Sequence, residues 1–145
     1  MMKGKIVRIM VYPAKGEKGI QAEIVQLKKD LGIEGDFHST GGDKQISLLS
    51  IESRNWIDNA AEKGLCFSRF KENITTEGIT LENLRAGHKL MARKTMLEIT
   101  GESKHCHEEC PLFRKGDLCH LSGQSLFAKV IHSGTLRVGD EVEGD

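Results

Sequence analysis

Residues 126 to 142 read LFAKVIHSGTLRVGDEV, two short apolar runs, Leu126 to His132 and Leu136 to Val142, separated by Ser133-Gly134-Thr135. A turn-forming triplet between two runs that contain β-branched residues predicts two strands joined as a hairpin. The same punctuation recurs along the chain, with sixteen glycines, most of them between short apolar runs. Further strands are predicted at Lys5 to Tyr12, Ala22 to Leu27, Gln45 to Ser50, Asn73 to Thr76, Lys89 to Ala92 and Met96 to Thr100.

One segment alone reads as a clear helix, Ile51 to Lys63. Ser50 can cap its first turn, Glu52 suits the positive N-terminal end, and Gly64 supplies a stop. Ile51, Trp56, Ile57, Ala60 and Ala61 form its apolar stripe, so Trp56 is assigned to packing and not to a cofactor. Strands before and after a single helix, without sustained strand–helix alternation, argue for a mainly β (α+β) domain: a closed or nearly closed β-barrel with short helical insertions. No repeat, linker or composition shift divides residues 1–145, so they are expected to form one domain. Glu143-Gly144-Asp145 lacks an apolar anchor and is expected to fray.

Composition narrows the function. Lys plus Arg and Asp plus Glu both number 21, so there is no basic footprint for nucleic acid or an anionic membrane. The N-terminal apolar run is broken by Arg8 and is neither a secretory signal nor a membrane span, which predicts a cytoplasmic protein. In a reducing compartment, cysteines serve reactivity or metal binding more often than cross-linking.

Three of the four cysteines fall in residues 104–119, KHCHEECPLFRKGDLC, together with His105 and His107, and His120 follows. Cys66 reads as a small buried apolar residue, but charged neighbours make that reading a poor one for Cys106 and Cys110. Pro111 disfavours helix at Cys110 and predicts an exposed turn there. Lys104, His105 and His107 would favour a thiolate, whereas Glu108 and Glu109 oppose it. A zinc site of Cys106, Cys110, Cys119 and His107 or His120 is the competing reading, a metal-stabilised binding module without catalysis. Its spacing is poor, because the adjacent Cys119-His120 pair cannot readily meet one tetrahedral ion.

Two further segments carry polar groups suited to a site. Gly35-Asp36-Phe37-His38 leads into Ser39-Thr40-Gly41-Gly42-Asp43-Lys44-Gln45, a loop that could bind an anion, or in which Asp36 and Asp43 are turn formers and His38 satisfies a local backbone group. Glu72-Asn73 precedes a β-branched strand. It is either the rim of a barrel mouth or a solvated strand end with Asn73 bonded in a turn.

Taken in order, GIEGDFHSTGGDKQISLLSIES, FKENITTEGITLENLRAGHKL, MLEITGESKHCHEECPLF and LFAKVIHSGTLRVGDEV resemble the MOSC domain, the family related to the C-terminal domain of molybdenum-cofactor sulfurases. The nearest likeness is to its short, free-standing bacterial members. The resemblance implies a β-barrel and a working cysteine that carries sulfur as a persulfide or binds molybdenum through its thiolate. Cys110 matches that position best, both as catalytic residue and as metal ligand, and Cys106 is second. Asp36, His38, Thr40, Lys44, Glu72 and Asn73 are the expected cofactor-binding residues, with Lys44, His38 and Thr40 facing the phosphate of the molybdenum cofactor's pterin. No lysine stands out as a pyridoxal phosphate site. Within residues 1–145 the resemblance extends to neither a desulfurase domain nor the second barrel half of the molybdenum reductases. The expected partner is therefore a sulfur donor such as a cysteine desulfurase, or a molybdoenzyme.

Overall fold

The computed structural model describes residues 2–59, 71–102 and 125–144. In chain order these form β1 (Met2–Val11), β2 (Ile20–Ala22), β3 (Ile24–Lys28), β4 (Gly32–Ile33), β5 (Ile46–Ser50), α1 (Ile51–Asn59), β6 (Ile74–Glu77), a 3-10 turn at Leu81–Asn83, β7 (Lys89–Ala92), β8 (Thr95–Glu102), β9 (Leu126–His132), β10 (Gly134–Arg137) and β11 (Glu141–Gly144). Seven strands close on themselves in the order β1, β11, β7, β8, β9, β5, β6, and β2 extends β1. β3, β4 and β10 make a second, three-stranded sheet, whose Val25, Leu27 and Leu136 join the common core. The mainly β barrel read from the sequence is therefore the observed fold.

Alternation drives closure. In β9, Leu126, Ala128 and Val130 are buried while the residues between them are partly exposed, the period-2 pattern of a strand with one face inward. Ile6, Leu48, Ile74, Leu97 and Val142 surround an internal void of about 10 Å³, so the barrel is filled by side chains. A register shift between Ile6 and Arg8 lets Ile6 and Ile9 both face inward, and turns Arg8 outward opposite Thr75.

β5 and β6 are the parallel neighbours, with Leu48 opposite Ile74, and α1 begins the connection between them. Ser50 Oγ accepts the Ser53 N–H, so the expected cap is present. Ile57 is buried, Ile51 and Trp56 are half-buried, and Ser53 shares the buried face. The remainder of the predicted helix, with Ala60, Ala61 and Gly64, lies outside the described residues.

Three expectations are corrected. β9 and β10 do not form a hairpin, because both edges of β9 are taken by β8 and β5, and β10 pairs with β3 instead. The chain turns between the sheets at Ser133, whose Oγ accepts the Lys29 N–H at 2.7 Å. The expected strand at Leu136 to Val142 is split by a turn at Gly139, where φ is +96°, a conformation suited to glycine. Finally, the C-terminus does not fray at Glu143 and Gly144. These pair with Lys3 and Met2 on one side and with Met91 and Leu90 on the other, and so close the barrel. Among the described residues, no helix is long and apolar enough to cross a membrane.

Candidate functional site

Asp36 organises the site. Gly35, at φ +91°, takes a left-handed turn that ordinary residues adopt only with strain, and Asp36 follows with its carboxylate fully buried. Its Oδ1 accepts the Tyr12 N–H at 2.8 Å and Asn73 Nδ2 at 3.0 Å. Its Oδ2 accepts the His38 N–H and lies 2.9 Å from His38 Nδ1. Burial alone would raise the Asp36 pKa. The hydrogen bonds from the His38 ring, the Tyr12 N–H and the His38 N–H outweigh it and hold the carboxyl below its ordinary value.

An ionised carboxylate only accepts, so His38 Nδ1 carries the hydrogen between them. The imidazole is thereby fixed with Nε2 pointing away from Asp36. The ring is about one-third exposed and stacks at a tilt on Phe37, with centroids 3.9 Å apart.

Asn73 ties the loop to the barrel. It is 1% exposed, its Oδ1 accepts the Ser47 N–H at 3.0 Å, and its Nδ2 donates to Met10 O as well as to Asp36. Its backbone N–H and C=O bond to Ser47 O and the Met10 N–H. One amide thus joins β5, β1 and the Asp36 loop. The solvated strand end entertained from sequence is overturned here, since Glu72 is 2% exposed.

Glu72 belongs to a second cluster, on the outer face beneath α1. Arg54 of α1 holds its carboxylate with two bonds, Nε to Oε2 at 3.1 Å and Nη2 to Oε1 at 2.5 Å. Thr75 Oγ1 donates to Oε2 at 3.3 Å, and Arg8 Nη2 stands 3.6 Å from the same oxygen. Burial would lower the Arg54 pKa, but Glu72 reverses that and holds it above its usual value. Tyr12 OH donates to the Glu72 carbonyl at 3.3 Å. Burial, then the Glu72 charge, push the phenol up to about 12.

Asp36, His38 and Asn73 therefore meet in one network, with Glu72 adjacent to it. Thr40 and Lys44 are exposed; the Thr40 N–H donates to the His38 carbonyl at 2.8 Å, and Lys44 Nζ lies 5.6 Å from the centre of the Phe127 ring. Tyr12, Ser47, Arg8 and Arg54 are site residues that sequence reasoning missed. Ser47 and Arg8 had a faint signal, each a polar residue interrupting an apolar strand.

Cys66, Cys106, Cys110, Cys119, His105, His107 and His120 lie outside the described residues. The strands that bracket residues 103–124 are described, and Glu102 of β8 pairs with Leu126 of β9. The Asp36–Gln45 loop touches both of them. Thr100 Oγ1 of β8 donates to the Asp43 carbonyl, and Lys44 packs on Phe127 of β9. Among the described residues, no group of three or more His, Cys, Asp or Glu is placed to hold a metal ion.

The family profile of the MOSC domain matches residues 35–143, three-quarters of the chain, which belongs to that family. The fold is similar to that of the YuaD protein from Bacillus subtilis (TM-score 0.73, 21% identity, covering 99% of this chain and 98% of that one). It is also similar to YiiM from Geobacillus stearothermophilus (TM-score 0.64, 19% identity, 98% and 75% covered) and YiiM from Escherichia coli (TM-score 0.59, 17% identity, 97% and 69% covered). No curated protein is similar enough in sequence to match the chain.

Proposed function

We propose that this MOSC protein works in metal–sulfur chemistry, with Cys110 carrying sulfur as a persulfide or binding the molybdenum cofactor through its thiolate. The observation that carries the reading is the clasp between the Asp36–His38 loop and both strands leading into the cysteine-rich segment, through Thr100–Asp43 and Lys44–Phe127. The strands that carry the two ends of the three-thiol segment are thus the ones this preorganised polar loop contacts. That arrangement suits a soft nucleophile needing fixed polar neighbours. Family membership agrees with it.

A thiolate serves either role, since it accepts sulfane sulfur by attack at sulfur and is a soft donor to a sulfur-preferring metal. A bound pterin phosphate would be met by the His38 ring and by the exposed Lys44 and Thr40 side chains, because the backbone N–H groups from Asp36 to Gly41 are already bonded within the chain. The molybdenum, when bound, would supply the redox chemistry.

Two measurements test the proposal. Incubation with a cysteine desulfurase and cysteine, followed by peptide mass spectrometry, should add one sulfur atom to Cys110, and Cys110→Ser should abolish it. Protein purified from a host that makes molybdenum cofactor should carry molybdenum and pterin if the thiolate is a metal ligand. Loss of both outcomes, or stoichiometric zinc whose chelation unfolds the protein, would overturn the reading in favour of a zinc-stabilised module.

A further inference from the structure

The register shift in β1 sets Arg8 opposite Thr75 of β6, on the outer wall of the barrel beside α1. A guanidinium carries five N–H donors in a fixed fork, accepts nothing and stays charged. Among the described residues, none of the Arg8 donors makes a hydrogen bond. Its Nε–H is enclosed and has no partner, while the side chain as a whole is 36% exposed, enough for a ligand to reach the guanidinium.

Glu72 does not satisfy it. The nearest carboxylate oxygen, Glu72 Oε2, stands 3.6 Å from Arg8 Nη2, beyond hydrogen-bonding distance. That oxygen already accepts from Arg54 Nε and Thr75 Oγ1, and Oε1 accepts from Arg54 Nη2. Two guanidinium groups thus share one carboxylate, Arg54 holds it in the bidentate fork, and one positive charge is left over at Arg8. The other charged groups on this side are committed. Arg54 also reaches Asp58, Lys5 pairs with Glu77 farther back along β1, and the Asp36 carboxylate takes its donors from Tyr12, Asn73 and His38. The Tyr12 phenol, protonated well above neutral pH, donates to the Glu72 carbonyl.

An enclosed N–H without a partner lowers stability, so the fold gains little from Arg8 as it stands. The guanidinium fork matches a pair of oxygens on one ligand atom. We propose that Arg8 anchors an oxyanion site, taking the phosphate or carboxylate group of a small ligand on the barrel wall beside α1. Arg54 is a positioning residue there, because by holding both oxygens of Glu72 it keeps that carboxylate from competing for Arg8. The site draws on residues other than the His38, Lys44 and Thr40 side chains assigned to a pterin phosphate, and it does not depend on the sulfur-carrier reading.

The test is thermal unfolding of the full chain in inorganic phosphate, in acetate and in chloride, at matched ionic strength and pH. Phosphate or acetate should raise the wild-type midpoint saturably, by about 3–5 °C above the chloride value. The anion that acts at the lower concentration assigns the site to a phosphate or to a carboxylate ligand. Arg8→Gln should abolish the rise, and Arg8→Met is measured beside it so that the result does not depend on one variant folding. Arg8→Lys keeps the charge but loses the fork, and should weaken the apparent affinity by about tenfold. Lys44→Gln should leave the rise intact. No rise above chloride in wild type, an equal rise in the Arg8 variants, or a rise lost in Lys44→Gln but kept without Arg8 would overturn the proposal.

Discussion

Two buried aspartates, Asp36 and Asp140, stand on different sides of the same barrel, each 5% exposed. Asp140 follows Gly139 between β10 and β11. Its carboxylate accepts the Arg137 N–H at 2.9 Å and Arg93 Nε at 2.7 Å, and its backbone carbonyl accepts the Ile6 N–H. Its side-chain bonds end in the turn itself and in a guanidinium that is 65% exposed. Asp36 gathers donors from Tyr12 just after β1, from the β6 entry and from its own loop, and one of them is an imidazole whose other nitrogen has no hydrogen-bond partner among the described residues. Burial and hydrogen bonding alone do not mark a functional carboxylate. The difference lies in whether one of its partners is left able to act on something else.

The comparison breaks first at Asp36 itself. Asp36→Asn sets an N–H₂ group against donors whichever way the amide turns, so it should cost about 2–4 kcal/mol in urea unfolding. Asp140→Asn keeps one acceptor and loses a partner that water can replace, and should cost about 1–2 kcal/mol. If the two variants unfold alike, the contrast fails. Glu72→Gln removes the charge that holds buried Arg54 and should cost about 2–3 kcal/mol, somewhat less than a fully buried pair because Arg54 keeps some exposure.

Acid sharpens the same contrast. The Asp36 pKa is lowered on folding, so its contribution is complete above the ordinary carboxylate value near ~3.9 and is lost as pH falls through the lower folded value. The stability gap between wild type and Asp36→Asn should therefore be constant from neutral pH to about 5 and shrink below about 4. A gap that widens in acid would contradict the ionised, acceptor-only carboxylate. The smallest expected effect on stability is that of His38→Gln, within about 1 kcal/mol because the ring is partly solvated.

Much of this was legible in the sequence. Asp36 and His38, two residues apart after Gly35, and the Glu72-Asn73 pair before an apolar strand announced themselves by residue type. Their burial did not, because it depends on α1 and β1 closing over them from distant parts of the chain. Arg54 falls inside the predicted helix with no local mark of a role, and its pairing with Glu72 exists only after the parallel β5–β6 crossover has formed. The hairpin failed for a similar reason. Ser133-Gly134-Thr135 is a sound turn signal, but no local pattern shows that both edges of β9 are occupied. The closing role of Gly144 was hidden too, since a glycine between two partner strands contributes backbone pairing and no apolar side chain.

Sulfur loading distinguishes an Asp36 network that serves the thiol chemistry from an Asp140 network that serves only the fold. Wild type, Asp36→Asn and Asp140→Asn, each confirmed folded, would be incubated at neutral pH with a cysteine desulfurase and cysteine and read by peptide mass spectrometry. Wild type and Asp140→Asn should gain sulfur on Cys110 at the same rate, and Asp36→Asn should load at least about tenfold more slowly. Equal loading in all three, or no sulfur on Cys110 in wild type, would contradict the account.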